Sequence, residues 1–152
     1  MPNFTKKLKV SKHANRFKKP ISIFAEFQED TPQILRDALS HDMRFWKAKR
    51  FLNNYDLVVR VEAIIREFFP LLKDVFVSAT AERGCPDFKS DHFLKFLDTA
   101  GLTDKRHLSK GIIETYFKAT NFNEGTDPEN TNNKDSTLCR YEFLEMLVRV
   151  AK

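Results

Sequence analysis

The chain has 152 residues, enough for one domain with a substantial core, and 15 of these residues are Phe. It contains four glycines, which excludes Gly-rich phosphate-binding loops and favours an α-helical fold. The net charge of +5 is unevenly distributed, because residues 1–20 carry seven Lys or Arg and no acid, whereas the other 132 residues carry 19 basic and 21 acidic side chains.

The N-terminal residues 1–29 are predicted to form a basic, extended arm ahead of a helical domain over residues 30–152. A cationic segment of this kind stays solvated or binds a polyanion, such as nucleic acid, an anionic membrane or an acidic protein surface. Interleaved aromatic rings can anchor such an arm on a partner. The candidate contact residues are Lys6, Lys7, Lys9, Lys12, Arg16, Lys18 and Lys19, with Phe4, Phe17, Phe24 and Phe27 as aromatic anchors.

Two helices are predicted on either side of Asn53-Asn54. The first starts at Pro32, directly after the capping acid or hydroxyl of Asp30-Thr31. Its apolar residues follow a roughly helical period as far as Leu52. The second has apolar residues at i, i+3, i+4 and i+7 and contains Pro70, which is expected to kink the helix or split it in two.

Three shorter helices follow. Ser90 is expected to cap a helix that Gly101 ends, Ile112 and Phe117 mark the next one, and Leu138 leads into the last. The order helix–loop–helix, linker, helix–loop–helix predicts an all-α fold. It is the layout of an EF-hand-like pair with one extra N-terminal helix.

The first loop is predicted to bind no calcium. An EF-hand loop places oxygen ligands at positions 1, 3, 5, 7, 9 and 12 and a hydrophobic residue at position 8. With Phe88 at position 8, position 12 is His92, and positions 1, 3 and 5 are Ala81, Arg83 and Cys85. No carboxylate stands at these positions, and the Arg side chain repels a cation.

The second loop retains part of the ligand set. Leu138 at position 8 makes Glu142 position 12 and leaves Asn133 and Asp135 as the other candidate ligands. The preceding helix implies an insertion, and a longer loop loses more entropy when it closes around an ion. We therefore expect no cofactor and no tight calcium binding, and we expect Glu142 to cap the final helix.

Other chemistries find little support in the sequence. There is no nucleotide-binding, serine-hydrolase or zinc-protease motif, and the four His residues lack metal-ligand spacing. Glu142 and Glu145, one helical turn apart, are expected to be solvated. No apolar run is long enough to span a membrane. The net negative body disfavours nucleic acid, although a ribosome-like basic tail stays open as an alternative.

Two segments carry a family resemblance. Residues 93–102 follow the pattern F-x-x-F-x-x-x-x-G-L, and a long insert precedes residues 138–151, LCRYEFLEMLVRVA. Over roughly residues 55–152 the chain resembles degenerate EF-hand-like proteins of ciliated and flagellated protists. The resemblance implies a non-enzymatic, cytoskeletal role as a microtubule-bound component of the ciliary or flagellar axoneme.

The function predicted from the sequence is thus structural. The arm is expected to neutralise an acidic protein surface, with tubulin as the leading candidate, and the groove of the helix pair is expected to hold a partner helix or peptide constitutively. The alternatives are a calcium-responsive regulatory subunit with an EF-hand pair, and a structural subunit of a mitochondrial or ribosomal assembly.

Overall fold

The computed structural model describes residues 30–81, 87–104, 107–122 and 136–152. The chain divides into two units, Met1–Pro32 and Gln33–Lys152, and nearly all described residues belong to the second. Those described residues confirm an all-α fold. They contain five α-helices and one 3₁₀ turn: α1 (Pro32–Phe45), the turn (Ala48–Arg50), α2 (Tyr55–Thr80), α3 (Ser90–Thr99), α4 (Lys110–Asn121) and α5 (Arg140–Ala151).

The first helix is shorter than its apolar period predicts. It begins at Pro32 as expected but ends at Phe45, and the 3₁₀ turn follows. The physical reason is a competing hydrogen bond, because the backbone N–H of Lys47 donates to the carboxylate of Glu145 over 3.1 Å. Leu52 is nevertheless buried, so the apolar pattern identified a core residue in the wrong kind of local structure.

The longest helix, α2, begins with a side-chain cap. The Asn54 side-chain oxygen accepts hydrogen bonds from the backbone N–H groups of Asp56 at 2.8 Å and Leu57 at 3.4 Å. The helix continues through Pro70 as a single element, so a split at this residue is wrong. Pro70 is exposed, which places the missing backbone hydrogen bond on the side where water can replace it.

Helix α3 ends as predicted at a glycine. Gly101 has φ +68°, the left-handed conformation that side chains disfavour, and the amide of Leu102 closes the last turn on the carbonyl of Leu97 at 2.9 Å. The predicted start is displaced by one residue, because Lys89 occupies the N-cap and Ser90 is the first helical residue.

The core is formed where α5 packs against α2 and α4, with α3 packed on α4. Its members are large aliphatic and aromatic side chains from every helix. The buried apolar residues of the five helices are Leu39, Val58, Ile65, Phe69, Phe76, Phe93, Leu97, Ile113, Phe117, Tyr141, Phe143, Leu144 and Met146.

Candidate functional site

The loop that follows α2 and the loop that precedes α5 are joined by a short antiparallel backbone bridge. The amide of Phe88 donates to the carbonyl of Leu138 over 3.0 Å, and the amide of Leu138 donates back over 2.7 Å. Both side chains are fully buried. These are the two residues predicted at position 8 of the two loops.

A cluster of Phe rings surrounds this bridge. Phe88 and Phe143 stack with centroids 5.4 Å apart and planes 8° apart, and Phe93 meets Phe143 edge-on at 6.2 Å. Such ring pairs contribute about 0.5–1.5 kcal/mol each beyond the area that they bury. The rings therefore fix the starts of α3 and α5 relative to each other. The members of this Phe cluster are Phe76, Phe88, Phe93, Phe96 and Phe143.

Glu142, predicted at position 12 of the second loop, caps its own helix. Its carboxylate accepts a hydrogen bond from the backbone N–H of Cys139 over 3.1 Å, which confirms the capping role. Burial raises the pKa of the Cys139 thiol to about 12, and the charge of Glu142 adds to the rise. The thiol is therefore protonated, and so a poor nucleophile, at physiological pH.

The remaining predicted ligand positions are not gathered into a metal centre in the part that the structure describes. His92, at position 12 of the first loop, lies 3.3 Å from the carboxylate of its neighbour Asp91. Asn133 and Asp135 lie outside the described residues, as do Arg83 and Cys85. Within residues 30–81, 87–104, 107–122 and 136–152, no three His, Cys, Asp or Glu side chains are close enough to hold an ion. The absence of tight calcium binding stays a prediction.

One ion pair fastens α1 to the start of α5. Arg140 donates from Nε and from its terminal nitrogen to the two carboxylate oxygens of Asp42, at 2.6 and 3.0 Å. Asp42 is buried, and the Arg140 guanidinium also lies over the ring of Phe69, 5.6 Å from its centroid. A bidentate pair with one buried partner restricts the orientation of both helices.

A second set of contacts joins α5 to the segment after α1 through the carboxylate of Glu145. The sequence predicts a solvated carboxylate pair on α5, but Glu142 and Glu145 are both fully buried, so that prediction is wrong. Glu145 accepts from the backbone N–H of Lys47 at 3.1 Å and from Arg149 at 3.0 Å. The Arg149 guanidinium in turn lies 4.0 Å from the ring centroid of Phe51. The i,i+4 spacing of Glu145 and Arg149 was the available signal, whereas the contact with Lys47 spans 98 residues.

Lysine side chains complete the attachment of the segment between α1 and α2. Lys47 Nζ donates to the carbonyls of Thr120 at 3.1 Å and Phe122 at 2.8 Å, where α4 ends. Lys152 Nζ donates to the carbonyl of Phe51 at 2.9 Å. Cations at a helix end satisfy carbonyls that have no helical partner. The segment between α1 and α2 is thus attached to the C-terminal ends of both α4 and α5.

An apolar groove lies between α2 and α5. It has a volume of about 460 Å³, and all but one of its lining residues are apolar. Leu57, Val61 and Ile64 form part of the α2 wall, and Leu147 and Val148 form part of the α5 wall. The groove carries no cluster of acids, nucleophiles or bases. Its chemistry therefore suits an apolar surface of a partner.

The outer part of α2 continues this groove as an exposed apolar face. Ile64 is 56% exposed, Phe68 46% and Leu71 59%. Large apolar side chains in a continuous patch mark an interaction surface more often than isolated ones do. The apolar period predicted this helix, but periodicity identifies an apolar face without showing how much of it is covered.

The predicted contact residues of the arm lie outside the described residues. This applies to Lys6, Lys7, Lys9, Lys12, Arg16, Lys18 and Lys19 and to the aromatic anchors Phe4, Phe17, Phe24 and Phe27. Their role stays a prediction from the sequence.

We compared the chain with family models, with curated proteins and with solved structures, and none of the three comparisons found a match. Among the described helices, none combines the length and the apolarity that a membrane crossing requires.

Proposed function

We propose that the chain is a non-enzymatic structural component of a large assembly, built on a degenerate EF-hand-like pair. The two units are α2–α3 and α4–α5. The observation that carries the proposal is the reciprocal bridge between Phe88 and Leu138. Equivalent positions of two loops meet there, and the residues five positions later, Phe93 and Phe143, also meet. Two like units related by an approximate two-fold axis account for both contacts.

The proposed pair is maintained by side chains rather than by calcium. Glu142 satisfies the amide of Cys139, so its carboxylate already serves the start of α5. The Phe cluster supports the same region, and Asp42 holds Arg140 at the start of the helix. In a calcium sensor, binding of the ion opens the helix pair. Here these contacts hold the proposed helix pair in one arrangement, which supports a constitutive scaffold rather than a calcium-driven switch.

The groove between α2 and α5 is the proposed docking site for an amphipathic helix. Its apolar lining matches the helix-in-groove mode of recognition, in which affinity comes from apolar side chains at helical spacing. No catalytic constellation lines it. The groove therefore supports an interaction module with no reaction of its own.

The basic arm supports the proposed location on microtubules. Seven basic residues without an acid in residues 1–20 give a strong positive field, and tubulin is the acidic surface proposed for it, in the axoneme of a cilium or flagellum. A mitochondrial or ribosomal assembly is the alternative that offers a polyanion of another kind.

Co-sedimentation with microtubules tests this proposal. The full chain is compared with a variant in which the seven basic arm residues are replaced by Gln. A matched control replaces three exposed body lysines, Lys49, Lys95 and Lys118, by Gln. We expect the arm variant to lose binding, the control to keep it, and binding of the full chain to weaken with added salt.

Three results would count against parts of the proposal. Equal sedimentation of the arm variant and the full chain would remove the arm from the contact. Failure of the full chain to sediment at all would contradict the axonemal location. Binding that depends on added calcium would favour a regulatory subunit.

A further inference from the structure

The exposed face of α2 has the spacing of a coiled-coil seam. Its apolar residues alternate at intervals of four and three and extend about 27 Å along the helix at 1.5 Å per residue. In a heptad written abcdefg, Leu57, Ile64 and Leu71 occupy position d, and Val61, Phe68 and Val75 occupy position a. The seam consists of Leu57, Val61, Ile64, Phe68, Leu71 and Val75, of which Val61 and Val75 are half-buried against the core of their own chain.

The two edges of this seam differ. On the e edge stand Ile65 and Leu72, which line the groove beside α5. On the g edge stand the exposed charged residues Arg60, Glu67 and Asp74. Asp74 also lies 3.4 Å from Lys73. A helix lying on the seam therefore meets an apolar wall on one side and a row of charges on the other.

We propose that the occupant of this groove is α2 of a second copy, lying antiparallel across a two-fold axis. The inference rests on the proposed function, in which this groove holds a helix. Antiparallel pairing brings every d residue opposite an a residue, and each layer sets a β-branched side chain against a longer one. The layers are Leu57 with Val75, Val61 with Leu71, and Ile64 with Phe68.

The charges on the g edge select this orientation. In the antiparallel pair the g edges of the two copies face each other, and Arg60 of each copy lies opposite Asp74 of the other, which gives two attractive contacts. Glu67 meets its own copy at the axis, which gives one repulsive contact. A parallel pair would instead set these charges against the apolar e edge with Ile65 and Leu72, where no partner charge stands.

The symmetry also explains why the described residues of one chain leave this apolar face exposed. A two-fold interface is isologous, so the groove and the helix that fills it are the same surface used twice. Each α2 then packs against the groove wall formed by Leu147 and Val148 of the other copy. The exposed patch with Ile64 and Leu71 becomes buried in both copies.

Sedimentation-velocity measurements on the full chain across the micromolar range test the dimer. We expect a concentration-dependent dimer in the wild type and a monomer for Ile64→Glu, with the dimer dissociation constant raised at least about 100-fold by a charge in an apolar layer. The matched control is Val59→Glu. Val59 is 45% exposed on the opposite face of α2, so its replacement should leave the dimer intact.

A charge exchange makes the orientation testable without touching the apolar layers. Arg60→Glu alone and Asp74→Arg alone each turn both cross-copy contacts repulsive and should raise the dissociation constant about tenfold. The double variant Arg60→Glu/Asp74→Arg restores both contacts and should return to within about threefold of the wild type.

A monomeric wild type would overturn the proposal, and so would a dimer unaffected by Ile64→Glu. A dimer in which the double variant is as weak as the two singles combined would overturn the antiparallel pairing. These outcomes are separable from failure of the proposed function, because co-sedimentation with microtubules is measured independently. A monomer that sediments through the arm and loses sedimentation with Ile64→Glu would instead assign the groove to a different partner helix.

Discussion

Helices α2 and α5 distribute their side chains in opposite ways. The first half of α5 buries the carboxylates of Glu142 and Glu145, whereas α2 exposes Ile64, Phe68 and Leu71 to solvent. Buried charges are tolerated only with fixed hydrogen-bond partners, and a large exposed apolar face is favourable only when something covers it. Helix α5 is therefore the anchored element of the fold, and α2 carries the exposed apolar face that we propose for assembly.

The largest expected effect is on the free energy of unfolding, and it comes from removing the Phe143 ring at the start of α5. Phe143→Ala should lower the free energy of unfolding by about 4 kcal/mol, because the ring is fully buried and contacts four other Phe rings. Urea denaturation measures this loss. Phe122→Ala is the matched control, since Phe122 is 61% exposed and its loss should change stability by less than about 0.5 kcal/mol. Similar losses for both variants would contradict the assignment of the Phe cluster to the core.

Glu145→Ala is expected to have the next largest effect, a loss of about 3 kcal/mol. Removing this carboxylate leaves Arg149, whose side chain is 14% exposed, and the backbone N–H of Lys47 without their acceptor. Glu114→Ala is the control, because Glu114 is half-exposed and 3.9 Å from Lys110. Equal stability of the two variants in chemical denaturation would show that α5 is not anchored through Glu145.

A smaller effect is expected from the pH dependence of Cys139. Its pKa is raised from 9.0 to about 12, so the folded state favours the protonated thiol. The stabilisation is complete below pH 9.0 and is lost as the pH rises toward 12. Stability should fall by about 1 kcal/mol between pH 9 and pH 10 through this group.

Thiolate absorbance in a Cys85→Ser background isolates this titration. Cys139 in the folded chain should ionise near 12, and the denatured chain near 9.0. Glu142→Gln should lower the folded value, because the carboxylate charge contributes to the rise. A midpoint near 9.0 in the folded chain would mean that the start of α5 is open to water.

The smallest effect is expected on α2. Ile64→Gln and Leu71→Gln should change the unfolding free energy of the isolated copy by less than about 0.5 kcal/mol, because both side chains are more than half exposed. The appropriate measurement is denaturation at protein concentrations below the range expected for the proposed dimer. A loss comparable to that of Glu145→Ala would show that this face belongs to the core of one copy.

The sequence specified the helices better than their contacts. Apolar periodicity located α2 and α4, and Gly101 located the end of α3. These features depend on neighbours within a few residues or on one repeated pattern. The burial of Glu145 depends on the backbone of Lys47, 98 residues away, and no local pattern records that contact.

The early end of α1 has the same origin. The amide that leaves the helix at Lys47 is the one that binds Glu145, so the helix boundary and the buried carboxylate are two consequences of one long-range hydrogen bond. The exposure of the apolar face of α2 could not be predicted from the sequence either. Leu, Ile and Phe residues at helical spacing show that one face of the helix is apolar. They do not show whether the surface that covers this face belongs to the same chain.

We propose that the helix pair is held by its own side chains and not by an ion. The most direct measurement is a calcium titration of the full chain, followed through the backbone amide resonances of Phe88, Leu138 and Glu142. We expect these resonances to stay in place throughout the range of about 10⁻⁷–10⁻⁵ M in which calcium sensors respond. A saturable shift of all three in that range, abolished by Asp135→Asn, would contradict it.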